Sequence, residues 1–192
     1  MPSLKDTFHY GFLGVLFLTL MASPFVMLSD DFTVTPSNPV VGNPVIIKGT
    51  AAPNTLVTVQ VCYEQSLPVL NGAYQFVLRG IVIPTGSNSI TVKTTNVRSM
   101  SVGLKQRIWT TITAKVVNGV STLTQNNISP GTYDAIIYGN SGASSIQLSV
   151  TASKTLTADS KGNYTYVYNS AGMPKGKYTV KVGNVSKSFV LS

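Results

Sequence analysis

The side chains able to do acid–base or metal chemistry are few and scattered. The one histidine is His9, and the acidic residues are Asp6, Asp30, Asp31, Glu64, Asp134 and Asp159. A glycosidase needs two carboxyl groups within about 10 Å of each other, and a hydrolase triad needs a base beside its nucleophile. Calcium cages need clustered acids. Beyond Asp31 the three acids stand far apart in sequence and no histidine follows them. Cys62 is the single cysteine, so no intrachain disulfide can form. Zinc, iron–sulfur and thiol-protease chemistry would each need further ligands or a base. At alternate spacing behind Val59 and Val61, Cys62 reads as a buried, inert thiol on a strand. No Gly-rich phosphate loop leads from a strand into a helix. We therefore expect no enzyme, no cofactor and no metal site.

The remaining candidate sites are of a surface kind. Asn127-Ile-Ser, Asn163-Tyr-Thr and Asn184-Val-Ser are N-glycosylation sequons, placed at expected turns or strand starts. Tyr164, Tyr166 and Tyr168 alternate, which puts three rings on one face of a strand. Such a stripe is either a flat sugar-stacking face or a row of core tyrosines with hydroxyls at the rim. The chain is basic, with a formal charge of +8, and six of its fourteen Lys/Arg lie between Lys154 and Lys187. Lys175, Lys177, Lys181 and Lys187 could join the tyrosines in holding an anionic polysaccharide. The lysines are interleaved rather than run together, which also suits a solvated edge-strand face. No recognition motif for nucleic acid accompanies the charge, and no nucleic acid is expected as a partner.

The elements that must position these residues are strands. Apolar residues recur at period two throughout, and no helical period survives after residue 30. Only 10% of residues are charged, so Thr, Ser, Asn and Gly supply solubility. A repeated unit of strand, Pro/Gly loop and strand appears after Asn71-Gly72, Asn118-Gly119 and Ser160-Lys161-Gly162. Asn-Gly flanked by alternating apolar residues is a hairpin signal, and Gly183-Asn184 is another. Expected strands include Leu56–Tyr63, Ala73–Leu78, Thr132–Tyr138, Ser145–Thr151, Asn163–Tyr168 and Lys177–Val182. The fold class expected is all-β: two tandem immunoglobulin-like β-sandwiches preceded by one N-terminal hydrophobic helix. Residues 31–106 would form the first sandwich and residues 107–192 the second, joined at Lys105-Gln106-Arg107 in a semi-rigid rod.

Residues 1–30 read as a membrane anchor or a signal peptide. Gly11 to Leu28 carries no charge and, as a helix, would reach about 27 Å, close to a hydrocarbon core of about 30 Å. Gly11–Ala22 alone has the length of a signal-peptide core, but Leu20 and Pro24 weaken the cleavage site. We expect the segment to be retained as an anchor, with Asp30 onward outside the membrane.

The run Pro36…Val41-Gly42-Asn43-Pro44-Val45-Ile46-Ile47-Lys48-Gly49-Thr50 resembles the opening of immunoglobulin-like modules in archaeal cell-surface and S-layer-associated proteins. Ile128-Ser-Pro-Gly-Thr-Tyr133 and Met173-Pro-Lys-Gly-Lys-Tyr178 resemble the P-x-G-x-Y loop-to-strand corner of such modules. The resemblance spans residues 31–192 and implies display outside the cell, a structural or adhesive role and N-glycosylation.

The function expected is a non-enzymatic structural or adhesive protein on the outer face of the cell membrane. Its partners would be the membrane through residues 11–28, other surface proteins or copies of itself. An alternative is a secreted filament subunit, in which Phe32 and Val34 near residues 31–36 act as a donor strand. A further alternative is a polysaccharide- or polyanion-binding module.

Overall fold

A computed structural model describes residues 31–192. The expected anchor or signal segment, residues 1–30, lies outside the described residues. Fourteen strands follow: β1 (Phe32–Thr35), β2 (Pro44–Thr50), β3 (Leu56–Pro68), β4 (Ala73–Ile83), β5 (Asn88–Thr95), β6 (Met100–Lys105), β7 (Trp109–Ala114), β8 (Val116–Val117), β9 (Val120–Asn126), β10 (Gly131–Asn140), β11 (Ser145–Thr157), β12 (Asn163–Asn169), β13 (Gly176–Val182) and β14 (Val185–Leu191). The all-β expectation holds for the described residues.

The strands form one seven-stranded sheet, β14-β13-β3-β11-β5-β9-β8, and two smaller sheets that face it. Over one half lies β1-β2-β12, and over the other half β4-β10-β6-β7. Strands β3 and β11 are thirteen residues long and pair antiparallel along their whole length. Their outer halves, Val57, Val59, Val61 and Tyr63 with Ala152 and Leu156, pack under the three-stranded sheet. Their inner halves, Leu67 with Ile146, Leu148 and Val150, pack under the four-stranded sheet. Alternation along an unbroken strand keeps all of these on one face. Gln65, exposed at an inward position and bonded to the Tyr63 hydroxyl at 2.7 Å, marks the seam between the two cores.

This topology corrects the expected boundaries. Residues 31–106 and 107–192 do not each close a sandwich. The outer sandwich takes roughly 31–63 and 152–192, and the inner one is carried by roughly 64–151 between them. The cause is long-range pairing: β2 pairs with β12, β3 with β11 and β4 with β10, each joining the first half of the chain to the second. Lys105-Gln106-Arg107, expected as a junction, is the end of β6 and the start of the β6–β7 hairpin turn.

Local chemistry explains the turns. Asn71-Gly72 and Asn118-Gly119 hold both residues at positive φ, the type I′ hairpin geometry that Asn-Gly favours. Strand β4 runs five residues beyond its expected end because a bulge carries it on. Arg79 and Gly80 together oppose Asp134, and the Gly80 amide donates to the Asp134 carboxylate at 3.0 Å. The extra residue shifts the inward set from Tyr74 and Leu78 to Ile81 and Ile83. A Cβ on Gly172 would collide with the Arg79 carbonyl, so the β12–β13 loop of the outer sandwich rests directly on this bulge.

The two P-x-G-x-Y corners share one geometry. Gly131 and Gly176 stand two residues before Tyr133 and Tyr178, both at φ near 140–150° (149° and 140°). Each tyrosine hydroxyl donates to the carbonyl four residues upstream, Tyr133 to Ser129 at 3.0 Å and Tyr178 to Pro174 at 2.7 Å. The Tyr178 ring is fully buried and stacks on Phe189 at 5.1 Å.

Two outcomes follow from this layout. Tyr178→Phe leaves a part-buried carbonyl without its donor and should cost about 1 kcal/mol in urea unfolding, whereas water replaces the exposed Tyr133 bond and Tyr133→Phe should cost less. Fragments 31–106 and 107–192, expressed singly, should show no cooperative thermal transition by circular dichroism, because each lacks the partners of its longest strand. A sharp transition in either fragment would contradict the nested arrangement.

Candidate functional site

An apolar concavity lies inside the inner sandwich, between β6–β7 on one side and β5–β9 on the other. Its volume is about 510 Å³, within the range of ligand sites and far above the voids that close packing leaves. Its walls are apolar: Leu104, Ile108 and Ile112 face Ile90, Val92 and Leu123, with Ile81 and Tyr133 at the back. Gln106 and Arg107 of the β6–β7 turn and Met173 of the outer sandwich complete the lining.

The cleft exists because the two sheets meet at one corner and part at the other. Strand β7 passes through Ala114 and Lys115 straight into β8, which belongs to the opposite sheet. Ala114 is buried at that corner, while Ile112 is 38% exposed and Ile108 79% exposed. The sequence alternation does put Ile108, Thr110 and Ile112 on one inward face, and all three line the cleft. They point toward a core that is not filled. The far end is fixed by Asn88, whose amide nitrogen donates to the carbonyls of Pro84, Gly86 and Ile128 and whose oxygen accepts from the Ile128 amide at 3.0 Å. Trp109, the only tryptophan in the chain, sits on the outer face of β7 and is 51% exposed. Lys105 lies 5.9 Å from its ring centre.

The residues singled out from sequence land elsewhere. Tyr164, Tyr166 and Tyr168 are buried on β12 and face the outer core, so they offer no stacking surface. A Cβ on Gly49 of the adjacent strand would strike the Tyr164 hydroxyl, so that glycine makes room for the ring. Lys175, Lys177 and Lys181 are exposed near or on β13, in the other sheet. The proposed sugar face of tyrosines and lysines is therefore not assembled. Lys187 bends inward instead: it bonds the Phe32 carbonyl, pairs with Asp31 at 2.7 Å and lies 5.2 Å from the Phe32 ring centre. Phe32 is 1% exposed and Val34 packs on the same core, because β1 pairs with β2 of its own chain. The donor-strand role expected for residues 31–36 is corrected accordingly: that strand already fills its own sandwich.

Asp31, Asp134 and Asp159 are tied to the fold. Asp159 accepts from the Asn163 and Lys161 amides, each at 2.8 Å, and these bonds, the Asn163 amide first, hold its carboxyl below the usual range. The Lys187 hydrogen bond and charge do the same for Asp31. Among the described residues no three His, Cys, Asp or Glu side chains gather in metal-binding geometry. Cys62 is half-buried rather than buried, on the polar face of the large sheet, with its sulfur 3.3 Å from the Ser149 hydroxyl. Of the sequons, Asn127 and Asn184 are exposed in loops. Asn163 is exposed too, but its amide donates to Asp159 at 3.1 Å.

The cleft went unseen in the sequence because its residue types are those of any core. The available signal was narrower: a six-residue strand, Trp109–Ala114, with no charge, proline or glycine, next to a charged turn.

Burial pushes the Tyr166 hydroxyl up to about 12 and raises Tyr168 and Tyr178 as well. A folded-state value above the unfolded value near 10 gives stability that is complete below pH 10 and is lost as pH rises from 10 toward 12. Alkaline titration followed by tyrosinate absorbance and circular dichroism should show ionisation of these tyrosines together with unfolding. Tyrosinate signal from all nine tyrosines near pH 10 in a folded protein would contradict their burial.

Comparison with protein-family models, with curated proteins and with solved structures gave no match to this chain.

Proposed function

We propose that this chain is a non-enzymatic structural protein of the cell surface. The observation that carries the reading is the architecture of the outer sandwich. Its strands in chain order are β1, β2, β3, β11, β12, β13 and β14. The first, second and fifth form one sheet, and the seventh, sixth, third and fourth lie side by side in the other. We read that order as an immunoglobulin-like layout with an added fourth strand beside the third, a reading supported by the Tyr178 hydroxyl bond at the start of the sixth strand, where such folds place a tyrosine corner. Sandwiches of this kind recur in extracellular and surface domains. The hydroxyl-rich outer face agrees: Thr58 with Thr155 and Thr91 with Thr124 form cross-strand pairs at 3.0 Å where charged residues would be usual.

The inner sandwich is an elaboration between the third and fourth strands of the outer one. It stiffens the molecule, since two continuous strands run through both cores. A stiff body with adhesive surface suits a protein whose work is contact rather than turnover. A glycan would be carried at Asn127 in preference to Asn163, whose amide is already engaged by Asp159.

Fractionation of cells with protease treatment of intact cells tests the reading. The protein should appear in the membrane or extracellular fraction and be removed from intact cells by protease. Recovery from the cytosol alone would overturn it.

A further inference from the structure

We propose that the cleft of the inner sandwich is a strand-acceptor site, and that its occupant is the apolar run of residues 11–28 from a second copy of this chain. The inference rests on the surface-protein reading and names the contact such a protein would make.

The first ground is the backbone. Strand β7 is the last strand of its sheet, so one full edge of Trp109–Ala114 presents N–H and C=O groups outward. Strand β9 is covered by β8 at Val120 and Ser121 only, which leaves the edge from Thr122 to Asn126 beside the same opening. Two polar edges flanking an apolar slot fit a polypeptide better than a lipid. A strand can satisfy an edge while its alternate side chains fill the slot.

The second ground is chemical. The inward residues Ile108 and Ile112 remain exposed, so the entering side chains should be apolar and uncharged. Residues 11–28 are the chain's uncharged, predominantly apolar run outside the described fold.

The third ground is where that run ends. Asp31 sits against Lys187 of β14, at one edge of the large sheet. The cleft borders β9, five strand positions away in the order β14-β13-β3-β11-β5-β9, or about 24 Å. Two residues, Ser29 and Asp30, separate Leu28 from Asp31, so three steps along the chain reach about 10 Å. The part of the run nearest the fold therefore cannot enter its own cleft. Insertion between copies is head-to-tail, and a head-to-tail contact that does not close gives an open chain of subunits.

The test uses the full chain and three comparisons: a chain beginning at Asp31, Ile112→Lys and Thr110→Lys. Sedimentation and electron microscopy should show polymers for the full chain and monomers for the shortened one. Both lysine variants place a charge in the apolar slot at solvent-accessible positions, keep their circular dichroism, and should weaken polymer formation by at least about tenfold. Pairing Ile108→Cys with Phe25→Cys in a Cys62→Ser background should give a disulfide between copies, identified by peptide mass. Polymerisation of both lysine variants at parental strength overturns the proposal, as does a disulfide formed only within one chain. A lipid recovered in stoichiometric amount from the purified full chain would also overturn it. Surface exposure in the protease assay together with either of these failures leaves the surface reading standing and removes only the acceptor site.

Discussion

The pairing of β3 with β11 is the constraint on which the remaining structure depends. It runs from Leu56 opposite Thr157 to Pro68 opposite Ser145 without a break in register. A period of two over thirteen residues commits one whole face of each strand to burial. No single small sheet can cover a ladder of that length, so two sheets share the task, and two cores form side by side. The exposed Gln65 between Tyr63 and Leu67 shows where one core ends and the next begins. From this shared ladder come the nesting of the inner sandwich, the stiffness of the body and the contact between the Gly172 loop and the β4 bulge.

The cleft is the cost of closing the inner sandwich with a connection as short as Ala114–Val116. A chain that leaves one sheet and enters its partner through Lys115 alone draws the sheets together at that corner. At the other end of β7 the short hairpin turn through Gln106, Arg107 and Ile108 stands exposed. Asn88 then holds the β4–β5 loop to the β9–β10 loop with four hydrogen bonds, so the open end cannot collapse by moving those loops inward.

Much of the local structure was legible from residue types. The Asn-Gly turns, the strand character of residues 56–63 and 177–182, and the two P-x-G-x-Y corners all follow from propensities and φ requirements that act over a few residues. The partners were not legible. Nothing in Ile46 and Ile47 distinguishes Val167 and Tyr166 as their neighbours across the sheet, and the repeated unit suggested two modules in series. The bulge at Arg79-Gly80 was equally hidden, since its sign is the carboxylate of Asp134, fifty-four residues away. The tyrosine stripe was read correctly as one face of one strand. Which way it faced depended on Val45 and Ile47 beside it, and these belong to the interior.

The edges of the three sheets show how selectively this surface is guarded. Strand β14 turns Lys187 inward against Phe32 and Asp31, a charge that a neighbouring strand would have to displace. Strand β4 is bent by its bulge and covered there by the Gly172 loop. Strands β1 and β8 are four and two residues long, too short to template a partner. Strand β7 has none of these defences: six residues, no charge, no proline, no bulge, and a half-exposed tryptophan on its outer face. An unguarded edge is a hazard in any monomer, and the sixth edge, β12, shares the lack of charge and proline over its seven residues, so two edges stand open beside four guarded ones. Of the two, β7 supplies Thr110 and Ile112 to the wall of the apolar cleft, and β12 reaches it at its end through Tyr168 and Asn169. Backbone groups that need a strand and a slot that needs side chains lie within a few ångströms of each other, so a single segment can satisfy both.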